Sequence, residues 1–264
     1  MSFLINKVVW VTGASSGIGE QVAIQCSLLG AKIVLSSRSE DSLLKVKAKL
    51  KGDHHLILPL DLEKSANFPA LAKQVADHYG RIDYLFNNGG LSQRSNASET
   101  DLSVDRYIME VNYFGNIALT KAVLPYMIQQ KSGHIIVISS IAGKFGFFLR
   151  SAYSASKHAL QGFYESLALE EEHNGIRVTL AYPGKINTNI SMNALNGSGN
   201  KHNVMDHNQE TGMPVEECVA QLLKAVKKEK REVLIGNKEI KAVLLKRFLP
   251  QNLFWKIMKK QSAT

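Results

Sequence analysis

The stretch Thr12-Gly13-Ala14-Ser15-Ser16-Gly17-Ile18-Gly19 decides the fold of this chain. It follows a short apolar run rich in β-formers, Lys7 to Thr12, and opens a segment of helical period. Between a strand and a helix, such a turn presents backbone amides to a phosphate. The first glycine permits the bend, the second lets the backbone approach a pyrophosphate, and the third allows close packing of helix on strand. The stretch therefore predicts a dinucleotide-binding turn, to which the two serines can add hydroxyl donors.

Six more short β-rich runs alternate with helical segments along the chain. The seven predicted strands are Lys7 to Thr12, Lys32 to Ser36, His55 to Pro59, Tyr84 to Asn87, His134 to Ser139, Arg177 to Ala181 and Glu232 to Ile235. Strands separated by helical crossovers pair in parallel and are covered on both faces. The pattern predicts a doubly wound, seven-stranded α/β sheet of the Rossmann kind, in a single domain over residues 1–264.

Helical periods and turn residues place the predicted helices between these strands. They are Ile18 to Leu29, Ser39 to Leu50, one or two helices over Asp101 to Gln130, and Ser151 to Asn174. The stretch Asn187 to Gly212 departs from the rhythm, because it is rich in Asn, Gly, Ser and His. We interpret residues 189–213 as a mobile substrate-loop insertion of the kind that covers active sites.

The composition is that of an ordinary globular protein. Of the 264 residues, 45% are hydrophobic and 21% are charged, which excludes an intrinsically disordered chain. The net charge of +9 is spread along the chain and has no nucleic-acid-binding motif beside it, so no nucleic-acid partner is predicted. Cys26 and Cys218 lie far apart, and no metal site is predicted. The start of the chain lacks a signal-peptide pattern and no apolar run is long enough to span a bilayer, so we expect a cytoplasmic protein.

The end of the second strand predicts which dinucleotide the turn holds. A protein that selects NAD usually places a carboxylate there, for the ribose 2′-hydroxyl. This chain has Ser37-Arg38-Ser39 instead. The planar guanidinium of Arg38 suits a 2′-phosphate, and either serine can hydrogen-bond the same group. NADP(H) is therefore favoured over NAD, the alternative being that Arg38 is a solvated residue at a helix start.

A tyrosine and a lysine four residues apart form the candidate catalytic pair. Tyr153 and Lys157 project from one face of a predicted helix. A nearby ammonium favours the phenolate, so we expect Lys157 to lower the pKa of Tyr153. The fifth strand delivers Ser140 to its carboxyl end, where α/β sheets bind ligands. Ser139 is the alternative, disfavoured because strand side chains alternate between faces.

Six motifs in this order resemble the short-chain dehydrogenase/reductase family, over about residues 7–188. They are the G-x-x-x-G-x-G turn, Asp61-Leu62, Asn87-Asn88-Gly89-Gly90, Asn112, the Ser140, Tyr153 and Lys157 set, and Pro183-Gly184-Lys185-Ile186-Asn187-Thr188. Gly89 stands where the family has alanine. The resemblance implies hydride transfer between NADP(H) and a carbonyl or secondary alcohol, with Tyr153 exchanging the proton, Ser140 holding the substrate oxygen and Asn112 holding a water against Lys157. It also implies that Tyr153 and Lys157 contact the cofactor, with Lys157 holding the nicotinamide ribose hydroxyls and passing protons onward through that water.

The resemblance also implies cofactor contacts for the other motifs. Asp61 and Leu62 would meet the adenine, and Asn88, Gly89 and Gly90 the ribose. Pro183 and Gly184 lead to Ile186, which would meet the carboxamide, and to Thr188, which would meet the phosphate. Family members are commonly dimers or tetramers, so a homo-oligomer is expected. The rival readings are an epimerase or dehydratase, which the glycine spacing and length disfavour, and a non-catalytic NADPH-binding sensor or scaffold.

Two segments bear on the substrate and on partners. The aromatic stretch Lys144 to Leu149, with Leu91, Ser92 and Gln93, suggests a wall for a bulky apolar small molecule, or equally a core or subunit contact. Residues 240–264 form a basic amphipathic segment that Pro250 splits into two short helices. We favour packing or oligomerisation for it, with peripheral membrane contact through residues 240–260 as the alternative.

Overall fold

The computed structural model describes residues 2–260, apart from the side chains of residues 208 and 209, and folds them around a seven-stranded sheet. The strands are β1 Val8–Thr12, β2 Lys32–Ser36, β3 Leu56–Ile57, β4 Tyr84–Asn87, β5 Gly133–Ile138, β6 Ile176–Pro183 and β7 Glu232–Ile235. Every neighbouring pair is parallel, and the order is β3-β2-β1-β4-β5-β6-β7. The predicted doubly wound α/β fold is confirmed.

Ten α-helices connect or follow these strands in the described part of the chain. They are α1 Gly17–Leu28, α2 Glu40–Lys47, α3 Phe68–Tyr79, α4 Leu102–Met109, α5 Gly115–Gln129, α6 Ser151–Glu170, α7 His207–Glu210, α8 Val215–Lys227, α9 Lys241–Phe248 and α10 Gln251–Met258. A π-helical turn, Glu110–Phe114, joins α4 to α5, so the predicted "one helix or two" is one helical run with a widened turn. No described helix is long and apolar enough to cross a membrane.

The sheet has a separate apolar layer on each face. Alternate residues of β1 point to opposite faces, so Val8 and Trp10 enter one layer while Val9 and Val11 enter the other. Helices α3, α5 and α6 cover the first face, and α1, α2 and α8 cover the second. Burial on both faces explains why these strands are nearly continuous apolar runs.

The topology locates a cleft at one edge of the sheet. From β1 the chain winds outward to β2 and β3, and then it returns to β4 on the other side of β1. The connections after β1 and β4 therefore leave in opposite directions, which opens a crevice at the carboxyl ends of these two strands. The glycine turn follows β1, and Asn88 follows β4, so both predicted motifs lie at this crevice.

The two irregular predicted segments have defined positions. Within 187–212, Leu195 forms a bridge with Gln93, and the preceding Ile186 forms one with Met213. The C-terminal helices α9 and α10 lie on either side of Pro250, as predicted, and Phe254 of α10 packs on Phe145 with ring centroids 5.4 Å apart. Residues 261–264, the end of the predicted segment, lie outside the described residues.

Candidate active site

The glycine turn after β1 is shaped by close approaches that only glycine allows. Gly13 and Gly17 have φ values of +61° and +57°, in the left-handed region. A Cβ on Gly19 would lie 2.3 Å from the carbonyl oxygen of Gly13, so α1 packs directly on the turn. Ser16 is the N-cap of α1, and its side chain makes no capping hydrogen bond to the helix. The amide groups at the start of α1 thus face an open crevice.

The turn is held in place by the residues that follow β4. The side chain of Asn88 donates to the carbonyl oxygens of Thr12, at 3.0 Å, and Gly13, at 3.2 Å. The backbone amides of Asn88 and Gly89 both donate to the hydroxyl of Thr12. The predicted ribose-binding motif therefore also braces the glycine turn, and Thr12 is a positioning residue that sequence reasoning missed.

Two cavities of about 470 Å³ each open into this crevice. The glycine-side cavity is lined by the predicted residues Gly13, Ser15, Ser16, Gly17, Ile18, Ser37, Arg38, Ser39, Asp61, Leu62, Asn88, Gly89, Gly90 and Thr188. The tyrosine-side cavity is lined by the predicted residues Ser140, Tyr153, Lys157, Pro183, Gly184, Ile186 and Thr188. Six residues line both cavities: Ile18, Asn88, Gly90, Ser92, Thr188 and Ile190. Gly19 and Asn112 line neither of them.

The glycine-side cavity fits a dinucleotide. Its floor is the turn in which added Cβ atoms would clash, and Thr188 faces this turn closely enough that a Cβ on Gly17 would lie 3.3 Å from its methyl group. Arg38 is exposed at its far end, and no ion pair or hydrogen bond between described residues involves its side chain. Ser39 instead caps α2 by accepting the amide of Ser42 at 3.3 Å. The side chain of Arg38 and the glycine turn thus lie at one crevice.

In the tyrosine-side cavity, Ser140 and Tyr153 form a hydroxyl pair. Both side chains line the cavity, Tyr153 is only 8% exposed, and the Ser140 hydroxyl is close enough to lower the pKa of Tyr153. The hydroxyl of Ser139 points away, to the carbonyl oxygen of Lys157 at 3.2 Å. Ser140 therefore occupies the position that the strand alternation predicted. The pair can hold one oxygen atom between two hydroxyl donors.

The expected effect of Lys157 on Tyr153 is not found. Burial raises the pKa of Tyr153, while the Ser140 hydrogen bond and the charges of Arg150 and Arg94 lower it. Lys157 instead donates to the carbonyl oxygen of Ile138 at 2.9 Å, and its Nζ lies 5.7 Å from the Tyr153 ring centre. Burial lowers the pKa of Lys157 to about 8. The tuning of Tyr153 by Lys157 therefore stays a prediction, made from spacing on the helix without the cost of burying an ammonium.

The side chain of Asn112 is held by protein atoms, and the water that the resemblance assigns to this residue stays a prediction. Its side-chain oxygen accepts the amide of Leu91 at 2.7 Å, and its nitrogen donates to the carbonyl oxygen of Leu91 and to the hydroxyl of Ser156. Protein atoms thus engage both ends of the amide, which anchors the chain next to Gly90. The π-helical turn around Asn112 widens the helix at this point, as such turns often do near functional sites.

A buried ion cluster beside Tyr153 was missed by the sequence reasoning. Asp206, in the predicted insertion, pairs through one oxygen with Arg94, after β4, and with Arg150, just before α6. Arg94 also donates to the hydroxyl of Ser92 at 2.8 Å. The other oxygen of Asp206 is buried without a hydrogen-bond partner among the described residues. The three residues come from three distant segments, and only the position of Arg150, three residues before Tyr153, hinted at a role.

The remaining wall of the tyrosine-side cavity is apolar. Phe147 lines it, whereas Phe145 is buried against Phe147 and Phe254, so both readings of the aromatic stretch hold in part. Gln93 was expected at this wall but lies fully buried, where its oxygen accepts the amide of Ala152. Helices α9 and α10 complete the cavity with Lys241, Ala242, Leu245, Ile257 and Met258.

Comparison with known proteins identifies relatives over nearly the whole chain. The family model described as short chain dehydrogenase matches residues 7–198. A protein of Anopheles gambiae named dehydrogenase/reductase SDR family protein 7-like is 42% identical, covering 98% of this chain and 84% of the relative. A short-chain dehydrogenase structure from Streptomyces avermitilis is 29% identical, with a TM-score of 0.83, and covers 96% of this chain and 95% of that one.

One further solved structure supports the fold alone. It is a short chain dehydrogenase/reductase from Burkholderia phymatum in complex with NAD, with 22% identity and a TM-score of 0.83. The alignment covers 100% of this chain and 98% of the other.

Proposed function

The chain belongs to the short-chain dehydrogenase family of oxidoreductases, and we propose that it transfers hydride between NADP(H) and a carbonyl or secondary alcohol. The observation that carries this proposal is that Ser140 and Tyr153 together line a cavity that shares six lining residues with the glycine-side cavity. A proton donor thus lies next to the space where a nicotinamide dinucleotide fits. When it is bound, the cofactor supplies or accepts the hydride.

In the reducing direction, Ser140 and Tyr153 hold the substrate carbonyl oxygen between their hydroxyl groups. Tyr153 gives its proton to that oxygen as negative charge develops there, while Ser140 continues to donate a hydrogen bond. Because burial raises the pKa of Tyr153, the proton is present throughout the neutral range. Arg150 and Arg94 stabilise the phenolate that remains.

The finer parts of the proposal are the cofactor choice, the substrate class and the assembly. Arg38 supports NADP(H), because its guanidinium is exposed at the end of the glycine-side cavity. The apolar wall of Phe147, Leu245 and Ile257 supports a bulky apolar substrate. We also propose a homo-dimer or tetramer, which light scattering on the purified protein would test.

The direct test follows cofactor absorbance with NADPH or NADH and a panel of aromatic, steroid-like, quinone and long-chain aliphatic carbonyls. We expect turnover with NADPH and slower turnover with NADH. A chain that binds NADPH tightly and reduces none of the panel would be the non-catalytic sensor, and the proposed activity would then be abandoned.

Replacing Arg38 with Asp should reverse the cofactor preference. A hydrogen bond to a charged group contributes about 1.5–3 kcal/mol, so the Kd for NADPH should rise about 10- to 100-fold. The Kd for NADH should change much less, because NADH has no 2′-phosphate. Cofactor fluorescence measures both, and Lys121→Asp, the same charge change on exposed α5, is the control. Equal weakening of both cofactors would contradict the role given to Arg38.

Replacing Arg150 with Met should move the pH profile of kcat/KM upward. A positive charge near a phenol lowers its pKa, so its removal should raise the apparent pKa of Tyr153. The measurement is the pH profile of kcat/KM at saturating cofactor, for either the reduction or the oxidation reaction. Arg150→Lys keeps the charge and should stay close to the wild type. A rate that falls equally at every pH, with an unmoved profile, would mean that Arg150 is merely structural.

A further inference from the structure

The two C-terminal helices expose an unusual share of large apolar side chains. The described residues include fourteen exposed large hydrophobic side chains, and six of them lie within residues 244–257. These six form what we call the C-terminal patch: Leu244, Leu245, Phe248, Leu253, Trp255 and Ile257. Phe248 is the most exposed of them, at 77%. Single exposed apolar residues are common on soluble proteins, but a cluster of this kind marks an interaction surface.

The helices that carry the patch are fixed to the rest of the fold. Phe254 and Met258, four residues apart on α10, are buried with Phe145 in a small apolar cluster. Lys246 of α9 donates to the carbonyl oxygen of Lys144. The predicted packing role of this segment therefore belongs to these residues, and the patch is what remains uncovered.

The charge around the patch is of one sign. Residues 240–260 contain six Lys and Arg residues and no Asp or Glu: Lys241, Lys246, Arg247, Lys256, Lys259 and Lys260. All six are exposed. In a two-fold contact between copies, this surface would face itself, which would bring cations against cations with no acidic residue of this segment to offset them. An anionic surface with an apolar interior satisfies both the charge and the apolar side chains.

The patch also borders the active site. Leu245 and Ile257 are 41% and 36% exposed, yet both line the tyrosine-side cavity that contains Ser140 and Tyr153. The same two side chains thus belong to the surface and to the cavity wall. The mouth of the cavity consequently opens beside the patch.

We propose that the C-terminal patch docks the protein on the surface of an anionic lipid bilayer, so that an apolar substrate enters the tyrosine-side cavity directly from the lipid. The docking part of this proposal is argued from the C-terminal patch and its cations alone. The substrate-entry part rests on the function proposed above. Each helix has eight residues and is about 12 Å long, so the helices lie in the interface and do not span the bilayer.

Vesicle binding by the purified full chain tests docking without any need for a substrate. The vesicles are phosphatidylcholine alone or phosphatidylcholine mixed with phosphatidylserine, at low and high salt. We expect co-sedimentation with the mixed vesicles, at least about tenfold stronger than with phosphatidylcholine alone and weakened by salt. Of the two tryptophans, Trp10 is fully buried, so a blue shift of the fluorescence reports on Trp255.

Paired substitutions distinguish vesicle binding through the C-terminal patch from non-specific binding by exposed apolar side chains. Phe248→Ser with Trp255→Ser, and Lys256→Glu with Lys259→Glu, should each reduce vesicle binding about tenfold or more and leave the Kd for NADPH unchanged. Leu102→Ser with Leu169→Ser removes two leucines elsewhere that are 61% and 69% exposed, and this variant should bind vesicles as the wild type does. Absent binding to anionic vesicles, or equal loss in this control, would overturn docking. Docking would also be overturned if the protein does not bind vesicles and the patch substitutions convert an oligomer into monomers.

Substrate entry has its own measurement. Anionic vesicles should increase the wild-type rate with a long-chain aliphatic aldehyde but not with a short, water-soluble one. The increase should vanish in the Phe248→Ser, Trp255→Ser variant. Turnover that vesicles do not change would overturn entry from the lipid. No turnover with any aldehyde, together with intact vesicle binding, would count against the proposed function and leave docking in place.

Discussion

Replacing Tyr153 with Phe should reduce turnover about 100- to 10,000-fold, the contribution of a positioned proton donor, while NADPH binding is retained. The change removes one hydroxyl from a side chain that is only 8% exposed and whose hydroxyl is paired with Ser140. The ring still fills its space, so the fold should survive. Steady-state kinetics and cofactor fluorescence on the same preparation measure the two effects.

A second tyrosine on the same helix provides the control. Tyr164 is fully buried, and its hydroxyl bonds to Thr120 at 2.7 Å and accepts the side-chain amide of Asn87 at 2.9 Å, away from both cavities. Tyr164→Phe should lower the free energy of unfolding by about 1 kcal/mol per lost hydrogen bond and leave turnover unchanged. If Tyr153→Phe kept its turnover, another group would have to supply the proton.

Replacing Lys157 with Met should reduce turnover, because it removes the ammonium that the resemblance places at the nicotinamide ribose, and yet make the protein more stable at pH 7. The lysine is 5% exposed, and its pKa falls from 10.5 to about 8 on burial. At 1.36 kcal/mol per pKa unit, burying the ammonium costs about 3 kcal/mol. Losing the hydrogen bond to Ile138 offsets about 1 kcal/mol of the gain. The net increase of about 2 kcal/mol should raise the Tm by roughly 4–8 °C.

The pH dependence of that difference identifies its cause. Between pH 8 and 10.5 the folded wild type binds fewer protons at Lys157 than the unfolded chain does, so its stability rises with pH. The Tm advantage of Lys157→Met should therefore shrink across this window. Thermal melts followed by circular dichroism test this, with the exposed Lys121→Met as the control. An advantage that stays constant with pH would attribute the gain to packing and not to the charge.

The sheet could be predicted because each strand carries its own local signal. All seven predicted strands match to within two residues at each end, since strands buried on both faces read as continuous apolar runs. The third was predicted over His55 to Pro59, but only Leu56–Ile57 pairs, because β3 is an edge strand with β2 as its one neighbour. Pro250 likewise predicts the break between α9 and α10, because proline cannot continue a helix.

The sequence predicts those site residues whose position follows directly from the strand that precedes them. The glycine turn and Ser140 follow strand ends, so topology alone brings them to the crevice. The partners of Lys157 and Asn112 could not be predicted, because Ile138 and Leu91 are brought to them by packing between distant segments. The same is true of Asp206, whose ion pairs join residues 112 and 56 positions apart.

The ion cluster constrains how the substrate cavity can be re-engineered. Asp206 lies in the stretch that a designer would exchange first to change specificity, yet its oxygen is shared by Arg94 and Arg150 from two other parts of the chain. A chimera that receives only a foreign loop would lose Asp206. The guanidinium groups of Arg94 and Arg150 would then lie beside Tyr153 without their carboxylate partner, and that of Arg94 is buried. A loop graft should therefore transfer Arg94, Arg150 and Asp206 together.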